Sequence, residues 1–404
     1  MTPSPSLAAD ARSEREVTLG LLPAVAFSCN CYLIIGILFA IVPAYVHLRL
    51  GLSTIAAGLV VSAQYVATVL SRPTAGRMTD VLGPKRTVLY GLVACGACGA
   101  LCLLAARSEG LPVLAVALLT AGRLALGIGE SLVSTGALMW GIGRVGYLHT
   151  ARVISWNGIA TFGAIASGAP LGVLLEQWGG LTLTGLFVMA LSATAAIFAL
   201  RMSSVAVARG GQMPLRHVLA RVAPAGLALA LGGMGFGVIA AFVTLYYAHQ
   251  GWSGAALSLS VYGICFIAGR LAFANLIDRL GGFRVARTSY VVEGLGLILL
   301  ALAPAPALAL AGAALTGLGF SLVFPALAVE AVKTIPTPSR GTALGAYTVF
   351  VDVSLFVSGP TAGAIIGGLG YRAAFLFAAL AAALALMLTV WLSALSRARS
   401  PVRR

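Results

Sequence analysis

The sequence predicts an all-α polytopic membrane protein of about twelve transmembrane helices, arranged as two pseudo-symmetric six-helix bundles. Three observations carry this reading. The 404 residues are 60% hydrophobic and only 9% charged, with a mean hydropathy of +1.00, a composition suited to lipid, since soluble domains carry nearer a quarter charged residues. The apolar stretches recur at about 20 residues or more, the length at which a helix crosses the hydrocarbon core with its backbone polar groups satisfied internally. A third sign is an internal duplication of polar and glycine positions at a near-constant spacing.

Taken in order, the predicted spans run near 19–46, 53–72, 87–106, 111–140, 151–175, 181–200, 222–247, 255–274, 288–303, 307–332, 342–366 and 373–395. The first is too long for a signal-peptide core and reads as an uncleaved span. The polar stretch 201–221, with Arg201, Arg209, Arg216 and Arg221, divides the chain into an N-terminal bundle (1–200), a cytoplasmic linker (201–221) and a C-terminal bundle (222–404). The repeat aligns the two bundles. Arg72, Asp80, Gly83 and Arg86 return as Arg270, Asp278, Gly281 and Arg284. Gly127, Gly129 and Ser131 return as Gly317, Gly319 and Ser321, and Ser167, Gly168, Gly172 and Gly179 as Ser358, Gly359, Gly363 and Gly370. The 49 glycines would weaken soluble helices but let membrane helices approach closely.

The net charge of +15 is scattered in short clusters between apolar runs, with no basic stripe for a nucleic acid to grip. With both termini cytoplasmic, the basic residues fall overwhelmingly on the inner side, leaving Arg49, Arg107 and Arg372 outside and Arg123 within a span. This is the positive-inside asymmetry. The excess of arginine over lysine and the alanine-rich runs suggest a GC-rich bacterium and hence its inner membrane. The six cysteines lie in apolar segments, and the Cys95–Cys98 pair lacks a second pair or a nearby histidine to complete a metal site. They are expected to be reduced packing residues; no metal or cofactor is expected.

Three motifs carry the chemistry. The first, Gly76-Arg77-Met-Thr-Asp80-Val-Leu-Gly83-Pro-Lys85-Arg86, joins spans two and three. Its glycines and proline suit a tight turn, its aspartate can meet a guanidinium or a helix N-terminus, and its basic pair suits anionic headgroups. The second is Arg123-Leu-Ala-Leu-Gly127-Ile-Gly129 in span four, with Glu130 about two turns beyond Arg123 on nearly the same helix side. A basic and an acidic group on one inward side can exchange a proton or simply brace the helix, and both are costly in lipid. The third is the pair Gly168-Ala-Pro170-Leu-Gly172 and Gly359-Pro360-Thr-Ala-Gly363, close-packing surfaces with a proline bend in spans five and eleven.

These motifs, in this order and over nearly the whole chain, resemble the signatures of the major facilitator superfamily, and the third resembles that of its proton-coupled exporters. In the first copy Pro170 sits one residue late for that match. The resemblance implies that the loop of Gly76 to Arg86 latches the two halves, more weakly at its second copy (Asp278, Arg284), where Ala274 and Asn275 replace Gly76 and Arg77. It also implies a central cavity lined by spans one, four, seven and ten. Candidate lining residues are Asn30, Arg123, Glu130, Phe236, Tyr246 and Phe324. Asp352, mid-span eleven at the position matching Thr161, is a further candidate with no basic partner identifiable in the sequence; Glu293 and Glu330 are weaker ones, and Glu330 is placed beside Lys333. No histidine lies deep in a span. The expected activity is proton-coupled secondary transport, more in the manner of an exporter, of a small organic solute by a monomer. An uptake symporter is the nearest rival. A membrane-embedded enzyme would want a His/Asp or paired-acid constellation that is missing, a sensor or scaffold would carry an added soluble domain, and there is no phosphate-cradling loop for ATP.

Overall fold

The computed structural model describes residues 14–108, 110–146, 149–205, 215–273, 275–333, 335 and 340–399. These are helical almost throughout. Numbered by span, α1 is Glu14–Ala44, extended by a π turn Tyr45–Arg49; α2 is Thr54–Leu82, α3 Pro84–Ala106 and α4 Pro112–Val145. The helix Thr150–Arg201 holds two spans, α5 (150–178) and α6 (181–201), because Gly179 and Gly180 leave helical geometry and Gly180 takes φ 62°. The second half has α7 Leu215–His249, α8 Ala255–Phe273, a short turn Leu276–Leu280, α9 Gly282–Ala301, α10 Pro306–Val332 broken near Ser321, α11 Arg340–Leu369 and α12 Tyr371–Arg399. Ten described helices are long and apolar enough to cross a membrane. The bend at Gly179–Gly180 makes one of them two spans, and Gly282–Ala301, which carries Arg284, Arg287 and Glu293, completes the expected twelve.

The ends of the helices follow local chemistry. Pro84, Pro112 and Pro306 open their helices, where a missing N–H costs nothing. Ser53 caps α2 by accepting from the Ala56 amide at 3.2 Å. Gly83 and Gly281 have φ 86° and 83°, so each duplicated turn uses the same left-handed glycine. The turn is shorter than the sequence suggested: Gly76 to Leu82 are helical, and the chain reverses only at Gly83. Span two accordingly runs about three turns further than expected, and Arg72 lies inside its helix instead of at its end, whereas its copy Arg270 lies in the last turn of α8. Helix α7 likewise begins within the polar stretch expected to be linker. Arg209 of that stretch and residue Ala274 lie outside the described residues.

Packing repeats as the sequence does. A Cβ on Gly129 would stand 2.9 Å from the Gly91 carbonyl oxygen, and one on the matching Gly319 2.8 Å from that of Ser289. Gly127 abuts the Gln64 carbonyl as Gly317 abuts that of Tyr262. In each half the fourth helix therefore touches its second and third at equivalent residues. The first glycine motif packs within its own half: a Cβ on Gly168 or Gly172 would lie 2.6 Å from the carbonyl oxygens of Leu33 or Ile37 in α1. The second packs across the halves, Gly359 against Gly58 and Ser62 and Gly363 against Thr54 of α2. Pro170 and Pro360 lie inside α5 and α11.

Two antiparallel helix pairs join the halves, α2 with α11 and α5 with α8. Near the membrane face opposite the chain ends the joints are direct. Thr54 donates to the Gly363 carbonyl at 3.0 Å, and Ser260 to that of Ala166 at 2.7 Å.

Candidate functional site

The polar centre of the molecule is built on one side of α2. Gln64, Thr68 and Arg72 recur every four residues and so form a ladder along that helix. Gln64 Nε2 donates to Glu130 Oε2 at 2.8 Å and Thr68 Oγ1 donates to the same oxygen at 3.2 Å. One turn further, Arg72 Nη1 donates to Ser134 Oγ at 3.1 Å, Ser134 being one turn beyond Glu130 on α4. The same guanidinium crosses to the other half. Nε donates to Asp352 Oδ2 at 3.0 Å and Nη2 to Oδ1 at 3.3 Å, a bidentate pair with side-chain exposures of 16% and 4%. The expectation that Asp352 lacks a basic partner is thus overturned. The partner comes from another half of the chain, 280 residues away, and no local pattern names it.

Arg123 and Glu130 share α4 and are both buried, but they do not bond. Glu130 is taken up by Gln64 and Thr68, whereas Arg123 lies with its guanidinium carbon 5.3 Å from the centre of the Phe39 ring and none of its three nitrogens has a hydrogen-bond partner. Their residue separation puts them on neighbouring sides of α4 but two turns apart, beyond direct reach.

The predicted cavity residues scatter. Phe236 is central: it meets Phe39 at 6.2 Å, Phe162 at 5.7 Å and Tyr262 at 5.1 Å between ring centres. Asn30 turns into its own half, donating to the Leu191 carbonyl at 3.0 Å. Tyr246 sits at the far end of α7 in an aromatic cluster with Tyr247, Trp252 and Phe375, away from the ladder. Phe324 packs on Tyr347, their ring centres 5.1 Å apart. Glu293 is fully buried behind α7, where Gly232 and Gly235 leave it room, and neither of its oxygens has a hydrogen-bond partner. Glu330 does sit beside Lys333, at 2.6 Å, and also accepts from the Gly282 amide.

Among the described residues the duplicated loop makes no bond between the halves. Asp80, Arg77 and Arg86 are exposed, and Asp80 has no partner among the described residues. Lys85 instead caps the end of α6, donating to the carbonyls of Leu200 and Met202 at 2.7 Å each. Arg284 borders a small hollow with Arg287 and Glu330; the side chain of Asp278 lies outside the described residues.

Reading the sequence by motif missed Gln64, Thr68, Arg72 and Ser134. A signal was present: Gln64 and Arg72 stand at four-residue spacing from Thr68 in a span whose other polar side chains are all hydroxyls. The cysteines are free, with Cys31, Cys95, Cys98 and Cys102 buried in the first half.

Two bundles of antiparallel helices meeting at an ion pair between the halves define a polytopic helical membrane protein of two-bundle architecture. The Major Facilitator Superfamily profile matches residues 24–358 and, in a second match, 225–404. Curated relatives include an uncharacterised MFS-type transporter of Burkholderia mallei, 54% identical over 92% of this chain and 91% of the relative. Another, from Pseudomonas aeruginosa, is 53% identical over 97% and 98%. This chain belongs to the major facilitator superfamily and is a multi-pass membrane transporter. Solved structures of similar fold include a D-xylose–proton symporter (TM-score 0.76, 12% identity, 92% of this chain and 97% of that one). The human organic anion transporter MFSD10 (0.70, 15%, 92% and 99%) and the nucleoside transporter NupG (0.71, 17%, 92% and 99%) are further examples. At these identities they speak for the fold alone.

Proposed function

We propose that the chain is a proton-coupled exporter of a small organic solute, working as a monomer in the bacterial inner membrane with both termini cytoplasmic. The observation that carries this reading is the buried ladder of Gln64, Thr68 and Arg72 with Glu130, Ser134 and Asp352. It places one carboxylate and one guanidinium at the seam where α2 parts from α11 as the halves rock, with Glu130 held within the first half by the same ladder of α2. Parting strips Asp352 of its partner. A carboxylate that loses a buried cation must gain a proton, water or another cation. Conformation and proton occupancy are thereby linked, which exchange requires thermodynamically. Glu130 remains the candidate proton carrier, held by two neutral donors that tolerate either of its protonation states, and Arg123 the candidate for substrate. The exporter direction rests on the glycine–proline motif of α11, which in this structure packs the seam itself through Gly359 and Gly363. Positive-inside asymmetry supports the orientation, with 1–200 and 222–404 as the two moving bundles about the 201–221 connection.

The test is solute movement in proteoliposomes under an imposed pH gradient, with solutes first drawn from a thermal-shift screen. An antiporter collects solute in the acidic compartment and a symporter in the alkaline one, whichever way the protein is inserted. Accumulation in the alkaline compartment would establish the uptake alternative, and none in either would sink proton coupling.

A further inference from the structure

A continuous aromatic column crosses between the halves, from Phe39 to Phe236 (6.2 Å), Phe162 (5.7 Å) and Phe266 (3.7 Å). An arginine stands at each end. Arg123 of the first half lies over Phe39 at 5.3 Å, and Arg270 of the second lies over Phe266 at 5.5 Å. Arg123 is 1% exposed with all three guanidinium nitrogens unpartnered, and Arg270 makes no ion pair among the described residues. Burying a guanidinium without an acceptor is among the costlier arrangements a protein can hold, and a ring face offsets it only in part.

The duplication explains how Arg270 came to be without an acid. Its copy, Arg72, is neutralised across the seam by Asp352, whereas the residue matching Asp352 in α5 is Thr161. The second seam, α5 with α8, therefore has the arginine and lacks the carboxylate. Neither remaining acid of the centre answers: Glu130 is held by Gln64 and Thr68, and Glu293 lies behind α7 against Gly232 and Gly235.

We infer that the solute is an organic anion with a flat apolar body, its acid group held by Arg123 or Arg270 and its body against the aromatic column. The inference rests on the transporter reading above and adds the substrate class. Arg270 lies within a turn of the end of α8 nearest the chain termini and Arg123 deeper, so the two form an outer and an inner station for the acid. A carboxylate, sulfonate or phosphate would supply the bidentate acceptors that both guanidiniums lack.

The probe is 2-naphthoate, with 2-naphthamide as its uncharged isostere, bound to the purified full-length protein and followed by ligand fluorescence and thermal shift. Naphthoate is expected to bind at least ten-fold more tightly than the amide. Arg123→Gln and Arg270→Gln should each reduce that preference several-fold and together abolish it. Amide binding should persist in both, which reports that the fold and column are intact. Equal binding of acid and amide, no binding of the acid, or an undiminished preference in the double variant overturns the inference. Its failure is separable from that of proton coupling. An uncharged solute driven by a pH gradient in a protein indifferent to naphthoate removes only the anion class, whereas naphthoate binding without gradient-driven movement removes only the coupling.

Discussion

Replacing Asp352 by asparagine tests the seam most directly. The substitution keeps the side-chain shape and removes the charge that Arg72 meets at 3.0 and 3.3 Å. Removing one member of a buried pair costs about 3–5 kcal/mol, because the other is left uncompensated. Arg72 retains its bond to Ser134 and some solvent exposure, so the lower end, about 3 kcal/mol, applies. That loss falls on the conformation in which α2 and α11 lie together, and it corresponds to a shift of roughly 150-fold in the equilibrium between joined and parted seams. Thr54 reports the seam, being 8% exposed where α2 meets Gly363. Maleimide labelling of Thr54→Cys is expected to quicken by 10-fold or more when Asp352→Asn is added, measured over the labelling of the parent protein. In Arg72→Gln/Asp352→Asn neither charge is left unpaired, and the rate should return most of the way. Labelling unchanged by Asp352→Asn, or as fast in the double variant as in the single, would refute the argument that the pair holds the seam.

Glu130→Gln preserves an acceptor for Gln64 and Thr68; it should leave folding and downhill exchange intact and abolish accumulation driven by a pH gradient, both read in proteoliposomes. Gly168→Ala forces a Cβ to within 2.6 Å of the Leu33 carbonyl and 3.0 Å of the Ile37 amide, both backbone atoms that cannot swing aside. It should destabilise the first half by about 1–3 kcal/mol in a thermal or denaturant series, and a melting temperature equal to the parent's would contradict the packing. Asp80→Asn removes a charge with no partner among the described residues, so stability and solute affinity should stay within a few-fold while transport slows, as a latch formed only in the other conformation requires. A parallel loss of affinity and transport would instead place Asp80 in binding.

The transmembrane class, the number of spans, their pairing into repeats and the turn glycines were legible in the sequence because each is a local or periodic property. Lipid demands apolar runs of set length, and a left-handed turn at Gly83 or Gly281 demands glycine. The repeat even specified contacts, since Gly129 and Gly319 fit against Gly91 and Ser289. Other outcomes depended on which helices lie side by side. Arg123 and Glu130, neighbours by motif, have separate surroundings, while Arg72 and Asp352, 280 residues apart, share a bond. Helix number alone places Asn30 and Tyr246 in the cavity; Asn30 instead faces the sixth helix through its helix's rotation, and Tyr246, three residues from the end of α7, joins an aromatic end cluster. A charge in lipid takes the nearest partner in space, and in a bundle of twelve helices that partner is set by rotation and tilt, which only the tertiary packing decides.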